Sequence, residues 1–289
     1  MISEAEYWDE FEREAAKHGI PFWVDYQKAN TPEIGFINFS TDPEIDRIVL
    51  GKKKDFVIAR VMQENNMRKL LDLGCGAGWL CLELARRGCD VGGIDVSSVR
   101  IQTACAYGEK EGVHIDYRTE DLEHLKWAIE DGYDAILNWN SMHHVTDVDA
   151  VLTAVNTSLK NGGLFISWDH LGDNLLIKSA TALACLIPGY YKQKKQALGA
   201  IHSESEGVAE VRMTEKIISR YLKVVLYKQH LVFVHLLPPV YKFFKFKWGI
   251  PIPRCIFIAF LRVAVRLDDL LSCAMPSLAT YSLVIGEKV

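Results

Sequence analysis

Residues Leu70-Leu71-Asp72-Leu73-Gly74-Cys75-Gly76-Ala77-Gly78-Trp79 run from an apolar segment into three glycines at alternate positions. The amphipathic stretch Trp79–Arg87 follows directly. A short apolar run bounded by glycine reads as a buried strand, and the periodic stretch behind it as a helix. Glycine at such a turn admits positive φ and carries no Cβ, so backbone can lie against a ligand. The spacing is G-x-G-x-G, with Trp79 where the last glycine of G-x-G-x-x-G would fall, and this weakens a pyrophosphate-binding reading. Asp95 closes Val91-Gly92-Gly93-Ile94-Asp95, 17 positions after Gly78. A carboxylate at that place can accept both hydrogen bonds of an adenosine ribose.

From Lys69 to Gly286 short apolar runs alternate with amphipathic stretches, the pattern of βαβ units. Strands are expected at Lys69–Leu73, Asp90–Ile94, His114–Thr119, Asp134–Asn138, Leu164–Ser167, Val224–Gln229 and Tyr281–Ile285. Helices are expected around Trp79–Arg87, Ser98–Glu111 and Val148–Leu159. The last of these has an acidic start at Asp147 and a glycine stop at Asn161-Gly162-Gly163. Thr214 marks a further helix start. The expectation is an α/β fold: a doubly wound, seven-stranded, mostly parallel sheet, Rossmann-like, with an N-terminal helical lid and a C-terminal insertion. The chain then divides into a lid over 1–60 and a cofactor-binding core over 61–230 with a substrate insert near 171–213. An aromatic-basic cap over 231–276 and a final core strand over 277–289 complete it. Within the lid, Tyr7, Trp8, Phe11 and Ala15 form one face of an amphipathic helix, and Pro21, Phe22, Trp23 and Tyr26 make an aromatic segment.

LLDLGCGAG, followed by GGIDVS and by Glu120-Asp121-Leu122, resembles the class I S-adenosylmethionine-dependent methyltransferases over residues 68–170. The resemblance implies S-adenosyl-L-methionine as cofactor and S-adenosyl-L-homocysteine as product. It implies that the turn Gly74, Cys75, Gly76 to Gly78 packs against the methionine and ribose, and that Asp72 helps place the amino group. Asp95, with Val96 beside it, would hold the ribose hydroxyls. Asp121 would meet the adenine amino group beside the backbone of Leu122, and Asn138 would offer its carbonyl to the methionine ammonium.

Methyl transfer from a sulfonium is an in-line displacement, so the protein must align the acceptor and in some cases remove its proton. Candidate bases belong at the carboxyl ends of the fourth and fifth strands. Met142-His143-His144-Val145 resembles the Leu-His-His-Val stretch of small-molecule methyltransferases such as the quinone-biosynthesis enzymes. Histidine titrates near neutrality and suits a general base; the competing reading is that one of the pair packs or caps the next helix, as His144 could near Asp147. Asp169 and His170 reach the same edge and could orient an acceptor, or be turn residues. His202 and Glu206, in the insert, are weaker candidates. The function implied is methyl transfer to an oxygen or nitrogen of a small, hydrophobic or lipid-linked acceptor. The alternatives are other chemistry on the same cofactor, or a non-catalytic cofactor-binding scaffold.

Composition narrows the partners. A net charge of -4 and a pI near 6.2 argue against general nucleic-acid binding. The seven cysteines, at 75, 81, 89, 105, 185, 255 and 273, include no C-x-x-C pair, which points to reduced thiols and the cytoplasm. No metal-ligand spacing is present. The N-terminus is acidic and lacks a basic start with an apolar run, and no stretch of about 18 apolar residues exists to span a bilayer. Residues 231–267 combine aromatics with cations: between Val240 and Leu267 the charges are Lys242, Lys245, Lys247, Arg254, Arg262 and Arg266, with no acid. That composition suits peripheral membrane contact; the alternative is that the aromatics form the core of a cap while the cations snorkel outward. The oligomeric state is not legible from the sequence.

Overall fold

Strands β1 (Lys69–Leu73), β2 (Asp90–Asp95), β3 (Asp116–Thr119), β4 (Tyr133–Trp139), β5 (Leu159–His170), β6 (Lys223–His230) and β7 (Tyr281–Glu287) form one sheet in the order β3-β2-β1-β4-β5-β7-β6. The computed structural model describes residues 3–17, 43–63, 69–125, 132–171, 214–230, 234, 237 and 252–289. Strands β1 to β5 are parallel, and β7 runs antiparallel between β5 and β6. This is the seven-stranded, mostly parallel sheet the sequence implies. The strand order reverses between β1 and β4, and in such sheets ligands bind at the carboxyl ends beside that switch.

Alternate residues of each strand point to opposite faces, and each face has its own core. Leu70, Leu137, Ile166 and Ile285 face α2 (Pro43–Gln63), α3 (Trp79–Ala85), α4 (Ser98–Glu111) and α7 (Arg254–Ala274). Their neighbours Leu71, Ile136, Phe165 and Val284 face α5 (Val148–Ser158) and α6 (Glu215–Ile218). The insertion between β6 and β7 thus supplies a helix: Phe257, Ile258, Leu261, Ala264 and Val265 of α7 cover Tyr281, Leu283 and Ile285 of β7. Helix α2 likewise contributes Ile45, Val49, Val57 and Val61 to this core, whereas α1 (Glu4–Lys17) lies at the carboxyl edge. Among the described residues no helix is long and apolar enough to cross a membrane.

Four local expectations are corrected. Helix α5 stops at Ser158, because Leu159 is already extended (φ -72°, ψ 144°) and pairs with Tyr133 as the first residue of β5. The Asn161-Gly162-Gly163 glycines therefore form an irregularity in β5, where Gly162 (φ 76°) and Gly163 exchange backbone bonds with Lys288. Strand β3 begins at Asp116 rather than His114, and the helix after Thr214 is a single turn. His144 does not cap α5; Asp147 does, accepting from the Ala150 amide at 2.9 Å. Residues 18–42, which include Pro21, Phe22, Trp23 and Tyr26, and the insert with His202 and Glu206 lie outside the described residues.

Candidate active site

The turn after β1 holds Gly74, Gly76 and Gly78 at φ 65°, 56° and 82°, and the three have different reasons to be glycine. A Cβ on Gly74 would sit 2.3 Å from Ser141 Cβ, and one on Gly78 would sit 2.2 Å from Tyr117 Oη. The protein's own packing demands both. Among the described residues a Cβ on Gly76 would meet nothing nearer than Arg100 Nη1 at 3.9 Å, so this is the open stretch of backbone that a ligand can approach. Gly78→Ala should cost about 2–4 kcal/mol in denaturant unfolding, from left-handed strain and overpacking against Tyr117. Unchanged stability would refute that account of the turn.

Asp95, at the carboxyl end of β2, is almost fully buried and anchors the turn. Its Oδ2 accepts from the Gly76 amide at 2.8 Å and its Oδ1 from the Ser97 amide at 2.9 Å, leaving further lone pairs for a ligand. Val96 beside it is half-buried. Asp72 is buried on β1, with Oδ2 accepting from Cys81 Sγ at 3.4 Å and Oδ1 without a hydrogen-bond partner among the described residues. Burial pushes its carboxyl up to about 7. A buried, unsatisfied carboxyl oxygen at a strand's carboxyl end is a place that a cationic group would satisfy. Burial also pushes the Cys75 thiol up to about 11, so it is neutral and not a nucleophile.

At the end of β3, the Glu120 amide donates to the Asp95 carbonyl at 3.0 Å and ties this edge to β2. Asp121 is exposed, caps the turn Leu122–His124 through the Glu123 amide at 2.9 Å, and lies 3.2 Å from His124 Nδ1.

The carboxyl ends of β4 and β5, with the loop after β4, enclose a buried polar network. Asn138 donates through Nδ2 to Ser167 Oγ and to Asp169 Oδ2, both at 2.8 Å, while its Oδ1 accepts from the Ser141 hydroxyl. Asp169 is fully buried and also accepts from the Met142 amide, the His170 amide and His143 Nδ1, each at 2.7 Å. Burial alone would raise this carboxyl, but the charge and hydrogen bond of His143, with Asn138, hold it at about 2. With Nδ1 on the carboxylate, His143 keeps Nε2 for an acceptor.

The other two histidines are engaged elsewhere. His170 Nε2 lies 2.7 Å from Tyr281 Oη, and burial, with His143 alongside, lowers its basicity to about 3. His144 Nδ1 meets Glu4 Oε1 of α1 at 3.0 Å, and its ring stands edge-on to Trp8. Helix α1 reaches across to α4, where Asp9 accepts from Ser97 Oγ at 2.6 Å and the Val99 amide at 3.2 Å. The Arg100 guanidinium lies 3.8 Å from the centre of the Trp8 ring. Helix α1 therefore spans from the end of β4 to the start of α4 along the carboxyl edge.

Asp72, Gly74, Cys75, Gly76, Gly78, Asp95, Val96, Asn138, His143, His144 and His170 thus gather at one edge of the sheet, with Asp121 and Leu122 at its β3 side. Sequence reasoning missed Ser141, Tyr117 and the α1 contacts, whose partners are distant in the chain. Sequence reasoning offers Asp169 as a residue that could orient an acceptor; the structure puts it inside β5, and its place beneath His143 needs the register Asn138↔Ser167.

Residues 70–163 match the sequence family described as a methyltransferase domain. The ubiquinone biosynthesis O-methyltransferase of Brucella anthropi is 42% identical over 96 residues, 33% of this chain. The chain spans only 38% of that relative's length. Among solved structures, the magnesium protoporphyrin IX methyltransferase of Synechocystis PCC 6803 superposes with a TM-score of 0.52 at 18% identity, covering 78% of this chain and 90% of that one. The [4+2]-cyclase SpnF superposes at 0.58 and 13% identity, covering 98% and 94%. These two likenesses establish the fold. Residues 70–163 thus carry the sequence pattern of a methyltransferase domain, and they lie on a seven-stranded sheet whose glycine turn sits at the switch point.

Proposed function

We propose that the protein transfers a methyl group from S-adenosyl-L-methionine to a hydroxyl oxygen of a small, hydrophobic acceptor. The observation that carries this reading is the juxtaposition, at one sheet edge, of the open Gly76 backbone braced by Asp95 with the buried Asp169–His143 pair. The residues fit the cofactor. The unsatisfied Asp72 Oδ1 and the Asn138 carbonyl suit an ammonium, Asp95 suits two ribose hydroxyls, and Asp121 with the Leu122 backbone suits an adenine. Bound there, the cofactor would supply an electrophilic sulfonium methyl, with S-adenosyl-L-homocysteine as the product.

The chain's own part is alignment and proton removal. Asp169 fixes the His143 tautomer with Nδ1–H on the carboxylate, so that Nε2 accepts the acceptor's hydroxyl proton as the oxygen attacks. Asp169 then stabilises the imidazolium. His144, tied to Glu4, holds α1 down instead, and α1 keeps water from the edge. The name of the ubiquinone-biosynthesis relative supports an oxygen acceptor carrying an apolar tail. A lipid-linked acceptor, reached by peripheral membrane contact through 231–267, belongs to the same reading.

The test is transfer of labelled methyl to a panel of hydroxylated aromatic and polyprenylated compounds. His143→Gln should lower turnover by about 10²–10⁴-fold, as loss of a general base does, while His144→Gln stays within roughly tenfold. Cofactor binding without transfer to any acceptor would favour other chemistry or a binding scaffold. A second check uses Asp72: its carboxyl is protonated below about 7 in the free protein, and an ammonium partner favours the carboxylate. Cofactor affinity should therefore rise as pH increases through neutrality, with proton release seen by calorimetry in buffers of different ionisation enthalpy. Affinity independent of pH across that window would exclude Asp72 as the ammonium partner.

A further inference from the structure

Helix α7 is apolar on two sides, and only one of them is used by the fold. Phe257, Ile258, Leu261, Ala264 and Val265 point inward and are buried. Ile256, Phe260, Val263, Leu267 and Leu270 follow a 4-3-4-3 spacing on the opposite side, and each is more than half exposed. Ala259 and Ala274 fall in the same sector and are exposed too. A contiguous row of five large apolar side chains along a 21-residue helix is more than the scattered exposure of an ordinary surface.

Charge selects the occupant. The outward sector holds no acidic residue: Asp268 is buried on the inner side, and Asp269 is paired with Lys53 at 3.1 Å. Arg262 and Arg266 flank the apolar row on the wheel, and Arg254 stands at its start. On and beside the helix, Lys52 and Lys53 pair with Asp269, and Arg254 and Arg262 with Glu44, while Arg266 is exposed. The sequence from Val240 to Leu267 contains cations and no acid. Two copies of this surface would bring like charge against like, whereas an anionic lipid headgroup layer complements it and accepts the apolar row beneath.

The helix is also placed for delivery. Its first residue pairs with Glu44 in the opening turn of α2, and the turn after it (Pro276–Leu278) leads into Tyr281, the partner of His170 at the candidate site. We propose that the outward face of α7 docks in the plane of an anionic bilayer, setting the carboxyl edge of the sheet beside the membrane. This deepens the membrane-contact reading above and rests on it.

The experiment is co-sedimentation of the full chain with vesicles of phosphatidylcholine alone and of phosphatidylcholine with phosphatidylglycerol, alongside cofactor calorimetry without vesicles. The expected result is preference for the anionic vesicles, weakened by salt and reduced roughly tenfold or more by Phe260→Ser with Leu267→Ser. Arg262→Glu with Arg266→Glu, which leaves the apolar row intact, should reduce anionic binding roughly fivefold per charge or more. Both double variants alter exposed residues, so they should keep wild-type cofactor affinity. Absence of vesicle binding by the wild-type protein, or a dimer that the Phe260 and Leu267 changes dissolve, would overturn the proposal. A wild-type chain that binds cofactor but no vesicle sinks this inference alone; one that binds vesicles but no cofactor sinks the methyl-transfer reading alone.

Discussion

Asp95→Ala should weaken binding of S-adenosyl-L-homocysteine by about 10²–10⁴-fold, because two hydrogen bonds to an ionised acceptor contribute roughly 1.5–3 kcal/mol each. The physical basis is already visible in the protein alone. One carboxylate braces both the Gly76 amide and the Ser97 amide, holding the open turn and the head of α4 in a fixed relation. Removing it would take away the proposed ribose acceptor and loosen the Gly76 backbone that the proposal sets against the ligand. Asp95→Asn keeps one acceptor oxygen and should fall between the two. Titration calorimetry decides it, and an alanine variant within threefold of wild type would show that Asp95 only shapes the turn.

Asp169→Asn should lower kcat by on the order of 10³–10⁴, the scale seen when a carboxylate that orients a catalytic histidine becomes an amide. In the proposed mechanism Asp169 is a positioning residue: it touches His143, and it would fix which ring nitrogen carries the proton. The amide retains an oxygen for the Met142 backbone, so the loop can keep its shape. A purely structural role would also weaken cofactor binding, since Asn138 shares the same carboxylate. The account therefore expects kcat to fall with cofactor Kd nearly unchanged, and parallel losses in both would contradict it.

Much of this architecture can be read from the chain. All seven strands lie within a few residues of where the alternation of apolar runs places them; β1, β2, β4 and β7 are buried runs, whereas no residue of the edge strands β3 and β6 is fully buried. The glycine turn and Asp95 are recognisable because their function is local, within one βαβ unit. What was not legible depends on partners far along the chain. Gly78 is constrained by Tyr117, and Gly74 by Ser141, which no local pattern reveals. The Asn161-Gly162-Gly163 segment carries the composition of a helix stop, yet pairing of Leu159 with Tyr133 draws it into the sheet. The three histidines are alike in sequence and differ in what they face: a carboxylate for His143, helix α1 for His144 and a buried phenol for His170.

The central claim is that the backbone at Gly76 and the carboxylate of Asp95 form a cradle for an adenosylated amino acid. Calorimetric titration of the wild-type chain with S-adenosyl-L-methionine, in parallel with a nicotinamide dinucleotide, tests it most directly. The account predicts one saturable site for the sulfonium compound and no heat of binding from the dinucleotide. Saturable binding of the dinucleotide alone would contradict it.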